Sequence, residues 1–181
     1  MLFRSEAKQS VVENMAPVLT RIFTPIFALA LVTFLGALLV TGRGIGIDRN
    51  VLIIFDVLLA VVVALLLYAL SARDPSAPPG PFDWIQFVLI ASALVADVVA
   101  LSAIAARISE FGFTPNRVAA LGENVILLVN LGWATVLSLK FLRGKSSFAS
   151  VERWQTGYLP VYAAWAAIVA VVFPLVFRTP G

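Results

Sequence analysis

The chain has no cysteine and no histidine. Those two absences exclude a disulfide framework, thiolate or imidazole metal sites, haem held by histidine, and Ser-His or Cys-His catalysis. Charge is also scarce, at 13% of 181 residues. What fills the space is apolar: 61% of the residues are hydrophobic, against about 45–50% in soluble domains, and the mean hydropathy is +0.99. This is the composition of a membrane protein. Its net charge of +3 implies no nucleic-acid partner, because basic residues gather in loops on the cytoplasmic side of membranes and report orientation.

A helix needs about 20 apolar residues to cross the hydrocarbon layer, and five stretches qualify: residues 22–41, 51–72, 84–106, 118–142 and 158–177. The expected fold class is therefore all-α, a five-span transmembrane bundle over 22–181 preceded by a juxtamembrane segment over 1–21. Short links separate the spans, among them Gly42 to Gly46, Arg73 to Pro81 and Arg143 to Ser147. The four prolines at Pro75, Pro78, Pro79 and Pro81 predict an extended, non-helical connection closing an antiparallel hairpin. The opening Leu2-Phe3-Arg4-Ser5 is also what a common sequencing adapter encodes in one frame, so the chain is expected to be a C-terminal piece of a longer protein. Lys and Arg number eight on the side of the amino end and five on the other, which predicts a cytoplasmic amino end. Trp84, Trp154, Tyr158 and Tyr68 fall near span ends and are expected as interfacial anchors.

Ionisable groups inside a span cost roughly 2.5–3.5 kcal/mol each, so each must face protein or water. Asp56, Asp97 and Glu123 are the three acids, at depths of roughly 8, 14 and 8 Å below one membrane face when counted at 1.5 Å per residue. Asp97 is the deepest. The small-residue stripe Ser92-x-x-x-Ala96-x-x-x-Ala100 should bring a neighbouring helix close and turn Asp97 inward. Two readings of Asp97 stand: a site for a proton, cation or polar substrate, and a structural residue that pins helix register, either as a neutral aspartic acid or paired with Arg107 or Arg117. Asp56 and Glu123 are shallow enough to meet interfacial arginines. Asn124 and Asn130 add a polar face suited to interhelical hydrogen bonds. The opposite half, as in Val61–Leu67 and Phe87–Ala91, is apolar and argues against a complete channel within these spans.

One stretch reads as a signature: Arg107-Ile108-Ser109-Glu110-Phe111-Gly112-Phe113-Thr114-Pro115-Asn116-Arg117. Gly112 suits the left-handed residue that ends a helix, Thr114 can cap the next, and Pro115 fits its first turn. Glu110 is spaced to pair with Arg107. The stretch resembles the Glu-(Tyr/Phe)-Gly-(Leu/Phe)-Thr-Pro-Asn-Arg core of the DUF4153 family of bacterial polytopic membrane proteins, with Phe113 where leucine is commoner. Asn14-x-x-Pro17, Thr24-Pro25, Leu159-Pro160-Val161-Tyr162-x-x-Trp165 and Phe173-Pro174 extend the resemblance over most of the chain. It implies a multi-pass protein of the bacterial inner membrane with further upstream spans, and assigns no chemistry.

The expected site is a polar cluster of Asp97, Glu110, Arg107, Arg117, Glu123 and Asp56, carried by the motif residues Gly112, Thr114, Pro115 and Asn116. No metal, cofactor or catalytic residue is expected. The expected partners are the lipid bilayer and other transmembrane helices, either upstream spans or a second copy. Three functions follow from such a cluster: transport through buried carboxylates, a non-catalytic subunit that packs against partner helices, or an enzyme on lipid-linked substrates with Glu110 or Asp97 as base and arginines on phosphate.

Overall fold

A computed structural model describes residues 3–42 and 49–177, with side chains over 17–42 and 50–177. The link at 43–48, Arg178 and the side chains of Arg4, Lys8, Asn14 and Arg49 lie outside the described residues. Helices α1 (Phe3–Thr41), α2 (Arg49–Ala72), α3 (Pro81–Phe111), α4 (Pro115–Leu142) and α5 (Phe148–Ala167) run in sequence; α5 continues through a π-helical turn at Ile168–Val172 into a last short helix, α6, at Phe173–Val176. Among the described residues, five helices are long and apolar enough to cross a membrane, as the sequence predicts.

α3 is the central helix, packed on α1, α2 and α4, with α5 leaning on α4. Its buried residues explain why. Gln86, Leu89, Ile90, Ala93, Ala96, Asp97, Ala100, Ala103 and Ile104 recur every three or four positions, one continuous stripe on a 3.6-residue helix. The alanines within it let the backbones approach. Leu31 of α1, Leu59, Val62 and Leu66 of α2, and Leu131 and Ala134 of α4 close around that stripe as the main core.

Three boundaries differ from the sequence reading. α1 is unbroken from Phe3 to Thr41, so the segment before residue 22, with Pro17, is continuous with the first span. α3 runs on to Phe111. α5 begins at Phe148, ten residues before the predicted 158, because Glu152, Arg153, Gln155 and Thr156 dilute the hydropathy of a helix whose first two turns are amphipathic. The π-helical turn has a local cause: Pro174 has no N–H to give the carbonyl four residues back and its ring crowds that carbonyl. The Phe173 N–H bonds Ile168 instead.

The proline-rich link is non-helical, as expected, but compact rather than extended. Ala77 N–H bonds Asp74 O at 3.2 Å, and the Ser76 hydroxyl and N–H both donate to Asp74 Oδ1. Those two bonds hold the Asp74 carboxyl below the usual carboxylate range. The Arg73 guanidinium organises the whole link, donating to the Asp74, Ala77 and Pro78 carbonyls and bidentately to Asp83.

α5 is seated on α4 by an indole. The Trp165 ring occupies the space a Cβ at Gly122 would need, while its Nε1 donates to Ala119 O at 3.3 Å. Gly122→Ala therefore forces the rigid ring, and α5 with it, outward. Destabilisation of about 1–3 kcal/mol is expected, the usual cost of overpacking, and most of it should vanish when Trp165→Ala is already present. Thermal unfolding of the two single variants and the double variant measures this; additive losses would show that the indole and the glycine are not in conflict.

Candidate functional site

The helix break that builds the site is local. Gly112, at φ 73°, ends α3 with its N–H on Ile108 O, and Thr114 caps α4, accepting from Arg117 N, with Pro115 in the first turn. The stop and restart read from the sequence is present. Arg117 reaches back across it: Nη1 donates to Phe111 O at 3.0 Å and Gly112 O at 2.8 Å. Carbonyls left open at the end of α3 are thereby satisfied, so Arg117 is first a cap.

Beside this turn, between α2, α3 and α4, opens a cleft of about 630 Å³. Arg107, Arg117, Asp56, Glu123, Thr114 and Asn116 supply its polar lining; Leu52, Ile53, Ile104, Ala119 and Ala120 supply its apolar walls. Of the expected cluster, Arg107, Arg117, Glu123 and Asp56 meet here. Glu110 does not: it is exposed and lines no part of the cleft. The expected Glu110–Arg107 pair is not formed, since among the described residues the one ion pair is Arg73–Asp83. Helix α3 is already ending at Glu110, and exposed side chains gain little from such a pair in water.

Asp97 lies behind the cleft, wholly buried. Neither carboxylate oxygen has a hydrogen-bond partner among the described residues, and neither Arg107 nor Arg117 reaches it. The paired-aspartate reading is therefore not what the structure contains. Asp97, Asp56 and Glu123 are within electrostatic reach of one another. Asn124, also wholly buried, donates from Nδ2 to Asp56 Oδ1 at 3.0 Å and to Ala120 O at 2.9 Å.

A second polar group, which the sequence left as scattered residues, continues inward. Asn130 Nδ2 donates to Gln155 Oε1 at 3.1 Å and to the Tyr162 hydroxyl at 2.8 Å. Trp154 Nε1 donates to Asn130 O, and the Tyr158 hydroxyl to Ile126 O. Trp154 and Tyr158 thus fasten α5 to α4, whereas Trp84 and Tyr68 are about half exposed, at 49% and 53%. Tyr162 lies within electrostatic reach of Asp97 and Glu123, which joins the two groups. Asn130 Oδ1 and Gln155 Nε2 have no partner among the described residues. The half of the bundle away from the cleft is therefore less uniformly apolar than α2 and α3 alone suggest. The missed signal was Gln155 within the helical continuation upstream of residue 158.

Five helices long and apolar enough to cross a membrane define the class, a multi-pass α-helical membrane protein. No protein-family model, curated protein or solved structure matches the chain.

Proposed function

We propose that the protein is a permease-like carrier of the bacterial inner membrane, amino end in the cytoplasm, whose working groups are Asp97 and the cleft before it. Membership of the DUF4153 family is part of this reading, supported by the Glu110-to-Arg117 motif. The observation that carries the transport reading is the unpartnered, wholly buried carboxylate of Asp97. A carboxylate in a dry interior must be paired or neutralised, and no side chain among the described residues pairs with this one. Neutralisation then falls to a proton or a cation, and in the transport reading that charge comes and goes. The same chain shows what a structural aspartate looks like: Asp83 is held bidentately by Arg73. Polar groups from Asp56 through Asn124, Tyr162 and Asn130 to Gln155 give a mobile charge successive partners, as intramembrane ionisable pathways require.

A scaffold role is the second reading, favoured by Ala163, Ala164, Ala166, Ala167 and Ala170, a small-residue surface left exposed on α5 and its π-helical turn. Ala93, Ala96, Ala100 and Ala103, by contrast, are consumed inside the bundle. An enzyme on lipid-linked substrates has less support, because Glu110 stands outside the cleft.

The test is complementation of a bacterial host lacking its own copy, by wild type and by Asp97→Asn at equal membrane abundance, scored as growth under an uncoupler. Wild type is expected to rescue and Asp97→Asn to fall at least tenfold in plating efficiency. Equal rescue would make the charge of Asp97 dispensable and put the scaffold reading first.

A further inference from the structure

The charges lining the cleft are balanced and yet do not neutralise one another. Arg107, half-buried on α3, donates to no acceptor among the described residues, and Glu123 on α4 accepts from no donor. Asp56 on α2 takes one bond, from Asn124. Three different helices hold these groups, so the packing of the bundle, and not side-chain choice, keeps the cation from the anions. Between them lie walls of Leu52, Ile53 and Ile104.

A ligand of one charge would satisfy one sign and leave the other desolvated and unpaired, which is costly. We propose that the cleft binds a zwitterion with an apolar body: its ammonium against Asp56 and Glu123, its carboxylate or phosphate oxygens against Arg107, and its hydrocarbon along the Leu52–Ile104 wall. The volume of about 630 Å³ lies within the range of about 300–1,000 Å³ usual for small-molecule sites. Arg117, committed through Nη1 to the α3 carbonyls, contributes charge without being free to follow the ligand. This chemistry has two sources, a free apolar amino acid and the headgroup of phosphatidylethanolamine. The assignment names the cargo class of the carrier proposed above and rests on that reading, but it is tested by binding alone.

The experiment uses the full chain in nanodiscs of phosphatidylglycerol, titrated calorimetrically with L-leucine, with 4-methylpentanoate, which lacks the ammonium, and with isoamylamine, which lacks the carboxylate. A parallel arm measures retention of phosphatidylethanolamine against phosphatidylglycerol by native mass spectrometry. L-leucine binding at least tenfold more tightly than either one-charge analogue supports the free solute; no L-leucine binding with selective retention of phosphatidylethanolamine supports the lipid. In either case Arg107→Gln should weaken binding at least tenfold and Arg107→Lys only a few-fold, with Glu123→Gln as an independent check on the ammonium side. Absence of both ligands, a one-charge analogue that matches L-leucine, or Arg107→Gln at wild-type affinity with unaltered thermal unfolding would overturn the proposal. Binding without any Asp97 dependence of growth would remove the transport reading alone; Asp97-dependent growth without binding would remove the zwitterion alone.

Discussion

Arg73→Ala is expected to lower the apparent Tm of the detergent-solubilised protein by on the order of 10 °C. The guanidinium is largely buried, with a side chain 12% exposed against 11% for Asp83, and it meets Asp83 through Nε at 2.9 Å and Nη2 at 3.2 Å. It also lies 4.7 Å from the Phe141 ring centroid and 4.4 Å from that of Phe148. One side chain thus ties the end of α2, the proline-rich link, the start of α3 and the α4–α5 hairpin. Removing one partner of a buried pair costs about 3–5 kcal/mol, chiefly because the other charge is left unpaired. At about 2–4 °C per kcal/mol for a domain of this size, the expected drop follows. Asp83 has a second task, accepting the Gly80 N–H at 2.7 Å, so Asp83→Ala should be comparably harmful.

Lysine should not substitute for Arg73. Its ammonium can neither form the fork to Asp83 nor approach both phenylalanine rings while donating to three carbonyls. Arg73→Lys is expected to recover less than half of the loss. Differential scanning fluorimetry of the single variants and of Arg73→Ala with Asp83→Ala reads the coupling: the double variant should lose much less than the two single losses combined. An Arg73→Ala protein within about 2 °C of wild type, well below the loss expected of a buried pair, would show that the staple is ornamental to stability.

The staple also marks where sequence reading ends. The five spans follow from the length of apolar runs, and the turn at Gly112–Pro115 follows from residues whose conformational preferences are local. The α3 stripe through Ala96, Asp97 and Ala100 is likewise a matter of periodicity. By contrast, Arg73 and Asp83 are separated by a link whose path depends on four prolines and an Asp74–Ser76 turn. Asp56 and Asn124 are 68 positions apart, and Trp165 meets Ala119 across 46. Such pairings are set by how helices rotate against one another, which no single helix encodes. The same is true of the expected arginine–acid pairs. Sequence proximity made Arg107 and Glu110 plausible partners, but Arg107 turns to the cleft, Arg117 caps α3, and Asp97 is left alone. Gln155 was missed for a different reason: a helix that begins in the interfacial region looks polar until its register against α4 is known.

Asp97→Leu is expected to hold or raise the apparent Tm by a few degrees while abolishing complementation. Leucine has the same branching at Cγ as aspartate, so the main change is loss of two polar oxygens that now lack partners. A buried group without partners costs about 1–3 kcal/mol, and leucine is also the better helix former. Against this stands some overpacking, since methyls are larger than carboxylate oxygens and the neighbouring face is alanine. The balance favours the variant. If Asp97 instead pinned helix register through a polar contact, its replacement would strand the partner and lower Tm by several degrees, as expected for Asp83. The sign of the shift therefore separates the two readings of Asp97 without a substrate in hand. A fall of more than about 5 °C, the scale set by losing a satisfied buried contact, would make Asp97 structural. A stable, inactive protein would mean that the fold carries this carboxylate at a cost to its own stability, which is how sites that must change charge state differ from sites that must hold still.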